Sequence, residues 1–274
     1  MQKFYLYPLL AVLLNIGSVI AHSAQLASAK VISINGTASF YDESGSRAPL
    51  TVGTILTQGD HVTTAAQSDA MLVFSNGSEL TIEENSSIVL AELAQQRFFS
   101  SKRYEQLQAD PSQSQTQLEL NYGSVYGHVK KLHAGSAFNI ETILGTAMIR
   151  GTQFKVKIGY NAERGEFILI IHNKDGKIDL VSRYSGNFEY GRGSVSEKGY
   201  QSARIDDNSE AIPPAHIIVI RLSEDDPGYP QIVNLQRNFA PSGSTPLKLN
   251  TTAPGPVITP ADITIISDEV PLNN

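Results

Sequence analysis

The side chains able to do chemistry in this 274-residue chain are many, but their spacing gathers few of them. Beyond residue 29 the histidines are His61, His128, His133, His172 and His216, and none stands in an HxH or HExxH spacing. Local sequence therefore offers no zinc site. Glu83 and Glu84 are adjacent carboxylates, but neighbours in a strand point to opposite faces and cannot share an acid/base step. Asp206-Asp207 and Glu224-Asp225-Asp226 carry the hard oxygens that calcium prefers, without the spacing of a calcium loop, and read as solvated turns. There is no Gly-x-Ser-x-Gly elbow and no P-loop. The chain has no cysteine, which removes thiol nucleophiles and thiolate metal ligands. The expectation is no catalytic residue, no metal and no cofactor. A carbohydrate-active enzyme would need two carboxylates facing each other ~5–10 Å apart across a cleft.

Other residues point to structure or to a partner. Gly59-Asp60 and Asn76-Gly77-Ser78 are turn chemistry, Gly allowing positive φ and Asp or Asn bonding the backbone two residues on. Arg150-Gly151-Thr152 places a cation at a strand end, able to pair with an acidic partner or a buried carboxylate, Glu141 on a neighbouring strand being a candidate. Asn35, Asn76, Asn85 and Asn250 fit Asn-x-Ser/Thr, a coincidence in a bacterial exported chain.

The elements that would carry these residues are short strands. Val52 to Leu90 is a meander in which apolar alternation is closed every few residues by turn signals, Asn76-Gly77 being the clearest. Lys30–Ile34 and Thr37–Tyr41 precede it. Leu118–Tyr122, Val125–Val129, Phe138–Thr142, Ala147–Ile149 and Phe154–Ile158 follow, the last alternating with Phe154, Val156 and Ile158 on one face. Phe167–Ile171 is apolar throughout and is expected to be buried on both faces. Residues 91–118 break the rhythm. They are rich in Gln, and Ala91–Leu107 reads as an imperfect amphipathic helix ahead of loop chemistry at Asp110-Pro111. This insertion is the expected partner surface, with Arg97, Phe98, Phe99 and Tyr104 as candidates. From residue 238 onward, prolines at 241, 246, 254, 256, 260 and 271 preclude a long helix or central strand, leaving an extended tail in which Ile263–Ile266 can add an edge strand.

At the other end, Lys3 and the apolar run Tyr5–Ile20 read as a secretory leader, with small residues offering cleavage after Ala21 or Ala29. Removing residues 1–29 takes away Lys3 and no acid, moving the net charge from −6 to −7. An acidic exported chain is a poor binder of nucleic acid or anionic membrane. With no disulfide it must rest on its core, and about 245 residues suffice for that.

Taken together, Pro49-Leu50, Gly53, Gly59-Asp60, Val62, Thr64, Ala70, Leu72, Asn76-Gly77-Ser78, Leu80, Ile82, Gly123-Ser124-Val125, Phe138, Thr142, Arg150-Gly151-Thr152, Phe154 and Val156 form an ordered pattern that resembles the FecR domain. The resemblance covers about residues 30–185. It implies an all-β, roll-, solenoid- or sandwich-like periplasmic domain of many short antiparallel strands, without catalytic activity. In such proteins the domain hears an outer-membrane receptor and adjusts a sigma factor, behind an anti-sigma segment and a membrane helix. Here a leader stands in their place. The expected organisation is a leader (1–29), a FecR-like domain (30–185) with a partly helical insertion at 91–118, a β extension (186–237) and a Pro-rich tail (238–274). The expected function is a non-enzymatic binding or sensing module of the bacterial envelope acting through protein partners. The alternatives are a structural component of the envelope and a glycan-binding module.

Overall fold

The computed structural model describes residues 25–42, 45–161, 164–182, 187–192, 201–204 and 209–223; for 25–26, 187–192, 201–204 and 209–210 only the backbone is described. The expected leader up to residue 24, the acidic turns at 206–207 and 224–226, and the tail from 238 lie outside these residues.

The strands arise from period-two alternation. In Gln153–Asn161 the side chains of Phe154, Val156 and Ile158 are buried while Lys155 and Lys157 between them reach the surface. Alternation of this kind builds two layers. One contains, in spatial order, Arg47–Pro49, Ala38–Tyr41, His61–Thr64, Ser87–Gln95, the first half of Ser114–His128, Ala137–Thr142, Gly145–Arg150, Lys177–Ser182 and Ser209–Ile212. Gln25–Leu26 pairs with the far end of Ser87–Gln95. The other layer runs Ile55–Leu56, Ala29–Asn35, Asp69–Phe74, Glu79–Ile82, the second half of Ser114–His128, Gln153–Asn161, Glu166–Asn173, His216–Ser223, Asn187–Arg192 and Gln201–Arg204. Among the described strands pairing is antiparallel except between Ser114–His128 and Ala137–Thr142, where Gln115 stands opposite Ala137 in parallel. The chain is all-β, as its alternation predicts.

Ser114–His128 belongs to both layers, and the sequence shows how. Ser114, Thr116, Leu118 and Leu120 are buried, then the buried set becomes Gly123, Val125 and Gly127. The register slips between Leu120 and Tyr122, and Gly123 has φ of +92°. This irregularity switches the inward-facing parity and carries the strand from one layer to the other. The core lies between the layers, with Phe138 at its centre. It meets Phe74 edge-on at 5.5 Å between ring centroids and Phe154 at 6.4 Å.

Phe167–Ile171 is buried on both faces, as expected. Phe167, Leu169 and Ile171 join the main core, while Ile168 and Ile170 form a second apolar cluster with Ile217 and Val219 on the outer face. Two expectations change. Ala91–Gln95 does not begin a helix but completes Ser87–Gln95, because Leu93 fills the core as the next inward residue and Ser114–Thr116 pairs alongside. The only helical residues in the insertion are the single 3₁₀ turn Tyr104–Gln106. The sheet also starts before residue 30: Gln25–Leu26 is paired, and Ala27 and Ala29 are buried.

Candidate functional site

The hairpin partners Gln95 and Ser114 mark the base of the insertion, so the true loop is 96–113. A connection of this length with only one 3₁₀ turn inside a compact domain is unusual and commonly carries function. Its base is held by a buried carboxylate. Asp110, 6% exposed, accepts from Ser114 Oγ at 2.7 Å and from Gln95 Nε2 at 3.2 Å, and its own N–H donates to Lys131 O at 2.9 Å. Ser112 Oγ donates to Gln96 O at 2.7 Å. Higher up, Leu107 packs over the Asn76-Gly77 turn so closely that a Cβ on Gly77 would lie 2.8 Å from Leu107 Cβ. Gly77 also has φ of +84°, so this turn admits only glycine on two counts. Asn76 closes it by accepting from Ser78 N at 2.9 Å, and its Nδ2 reaches Ser114 Oγ at 3.4 Å. An ion pair at 3.6 Å between Lys30 and Glu105 ties the 3₁₀ turn down.

Above this base the tip is basic and aromatic. Phe99 is 98% exposed, Arg97, Lys102 and Arg103 are exposed, and no acidic residue occurs between Leu93 and Tyr104. Those three cations form no ion pair with a described residue. Phe98 is half-buried and, with Ser75, Gln95, Ser100, Lys102 and Tyr104, lines a cavity of about 220 Å³ beneath the tip. Since a carboxylate only accepts, Asp110 forces Gln95 to donate its amide nitrogen. Gln95 Oε1 is left buried without a partner. The candidates Arg97, Phe98, Phe99 and Tyr104 are thus brought together on one loop; Lys102, Arg103, Gln95 and Asp110 complete it. Sequence reasoning passed over Asp110 because Asp-Pro reads simply as a loop signal.

The motif residues lie elsewhere. Gly59-Asp60 is a turn, Asp60 accepting from Thr57 N at 2.7 Å. Ser78 is fully buried, and Phe154 is in the core. Gly123 is the layer crossing. Arg150 faces Asp179 at 3.9 Å with a largely exposed side chain, while Glu141 accepts from Gln117 Nε2 at 2.7 Å. The carboxylate beside Arg150 is thus Asp179 and not the candidate Glu141: Arg150 ends its strand opposite Lys177, next to Asp179, and Glu141 stands opposite Thr146. Thr152, beyond Gly151, sets Oγ1 2.7 Å from Asn173 Oδ1 and 3.0 Å from Asp175 Oδ1, its one proton serving either acceptor, and so fastens two hairpins. Glu83 pairs with Lys155 at 2.8 Å and Glu84 accepts from Gln67 N at 2.6 Å, so the two carboxylates have separate roles.

Among the described residues the closest approach to a nucleophile–base pair is Ser87 with His61, Oγ to Nε2 at 2.7 Å, beside Tyr122 and Asn121. His61 stacks on Tyr41 with ring centroids 5.2 Å apart. Its Nδ1 is buried without a hydrogen-bond partner, so no third group orients the imidazole, and Ser87 is itself 2% exposed. The pair joins strands and leaves no room for a substrate at the hydroxyl. Among the described residues no three His, Asp or Glu side chains converge as a metal set.

Burial lowers the affinity of His61 for a proton. It also lowers those of His128 and His172, helped by Lys130 beside the first and by Lys155 and Lys174 beside the second. A histidine with a depressed folded pKa binds its proton more readily when unfolded. Stability should therefore be full above about pH 6.5, fall as the pH drops below it, and level off below the folded pKa values. Denaturant midpoints between pH 8 and 5 check this, and His172→Gln is expected to flatten the slope.

A family model described as FecR protein matches residues 60–170, which include the whole loop. No curated protein matches the chain. Two crystal structures, at 1.65 and 2.50 Å resolution, of a protein from Parabacteroides distasonis ATCC 8503 provisionally assigned as an anti-sigma factor are similar to it. Identity is 12% and the TM-score 0.36, and the chain spans 64% of their length with 64% of its own.

Proposed function

We propose that this chain is a non-enzymatic binding module of signal-transduction type that works outside the bacterial cytoplasm and meets a protein partner through the loop 96–113. The observation that carries this reading is Phe99. A phenylalanine exposed to 98% on a loop that is otherwise pinned by Asp110, Ser112 and Leu107 costs solvation free energy, which a partner's surface would recover. A rigid base with a projecting aromatic is how interfaces place their anchors. The match to the FecR model over residues 60–170 supports a signalling role, and the leader expected within residues 1–29 supports export. Cleavage after Ala21 suits the fold better than cleavage after Ala29, which would remove a paired strand and the buried Ala27 and Ala29.

In-cell crosslinking with an affinity tag inserted near Ser242-Gly243, followed by mass spectrometry, tests the reading. The comparison is a chain in which an Asn-Gly turn replaces residues 96–113, joining Gln95 to Ser114 where they already pair. The expected result is one protein partner lost with the loop. Wall or envelope material captured equally by both chains would favour a structural role, and capture of glycan alone would favour a glycan-binding one.

A further inference from the structure

We propose that the partner presents an acidic segment to this loop, one carboxylate entering the cavity beside Lys102 while Phe99 packs against an apolar residue next to it; this rests on the reading that the loop is the partner surface. Two observations point to acid. The first is local charge. The chain as a whole is acidic, at −6, yet its tip carries Arg97, Lys102 and Arg103 with no carboxylate between Leu93 and Tyr104. Several cations elsewhere are neutralised at home, as in Lys130–Glu79 at 3.0 Å, Lys155–Glu83 at 2.8 Å and Arg221–Glu166 at 3.2 Å, whereas the tip gathers three within seven residues that are unpaired among the described residues. A concentration of positive charge without internal neutralisation on an acidic protein attracts, orients and selects a negative partner.

The second is the shape and chemistry of the cavity. It sets the Lys102 side chain with the hydroxyl-bearing Ser75, Ser100 and Tyr104, a set that can donate several hydrogen bonds to one carboxylate. A carboxylate received by this set describes an Asp or Glu side chain of the partner. A lipid surface is a poorer match, because a knob at Phe99 beside a hole at Lys102 uses relief that a bilayer does not have.

Phe99→benzoylphenylalanine in the full chain, photolysed in cells, identifies what touches the tip, and binding of the purified captured partner is then measured against salt. The expected adduct is a partner peptide with at least two Asp or Glu residues near the crosslink. Affinity should fall about tenfold or more between 50 and 300 mM salt, and Arg97→Glu with Lys102→Glu should weaken it by about a hundredfold. Phe99→Ala should weaken it about thirtyfold. An adduct on a peptide without acids, or salt-indifferent binding, would overturn this proposal while leaving the loop as partner surface. An adduct on lipid or glycan, or no adduct with the partner bound, would overturn it too. Retention of the partner by the chain lacking 96–113 would instead sink the reading it rests on.

Discussion

Gly123→Ala is expected to cost about 3 kcal/mol or more of folding stability, enough to unfold much of a marginal domain. Two effects add. The backbone there has φ of +92°, which an L side chain adopts only with strain, and an added Cβ would lie 2.5 Å from Ser86 Cα. A collision with backbone cannot be relieved by a rotamer change, and Ser86 is itself pinned, its Oγ accepting from Ser124 N at 2.9 Å. Gly53 separates the two effects. It has φ of +91° and nothing within 4 Å of its Cβ position, so Gly53→Ala isolates strain and should cost only about 1 kcal/mol. Urea unfolding of both variants makes the comparison. Equal losses would show that Gly123 is wanted for its conformation alone, and that the close approach of the two strands at the layer crossing is not limiting.

The second large effect is expected at Asp110. Asp110→Ala should destabilise the chain by about 2–4 kcal/mol, since it leaves the Ser114 hydroxyl and the Gln95 amide nitrogen buried without an acceptor. It should also abolish partner capture although Asp110 is far too buried to touch a partner. Asp110→Asn keeps the shape but turns one acceptor into a donor facing donors, and should lie between wild type and Asp110→Ala in both readouts. Thermal melts paired with amide exchange over 96–113 measure the two consequences. Loss of stability without faster exchange in the loop would mean that the carboxylate braces the hairpin and not the loop.

Much of this molecule is written in its sequence. Period-two runs such as Phe154, Val156 and Ile158, the Asn76-Gly77 turn and the uninterrupted Phe167–Ile171 each encode a local conformation that the fold then uses. The parity switch was not read: Leu118–Tyr122 and Val125–Val129 look like two strands parted at Gly123, and the structure joins them in the single strand Ser114–His128. What was not legible depends on partners distant in sequence. Ala91–Gln95 reads as helix by propensity and becomes strand because Ser114–Thr116 offers a ladder across the loop. Arg150 finds Asp179 and not Glu141 because strand registers, invisible locally, decide which side chains meet. At the site, Phe98, Phe99, Arg97 and Tyr104 stand out by composition, whereas Asp110 and Gln95 matter only once a buried ring of hydrogen bonds brings them together.

The most direct test of the loop as partner surface is hydrogen–deuterium exchange of the chain alone and in complex with the captured partner. The account predicts that protection on binding falls on residues 97–106 and the neighbouring Asn76 turn, with the sheets unchanged. Protection confined to another surface, such as the open strand edge at Val52–Leu56, with 97–106 exchanging as in the free chain, would contradict it.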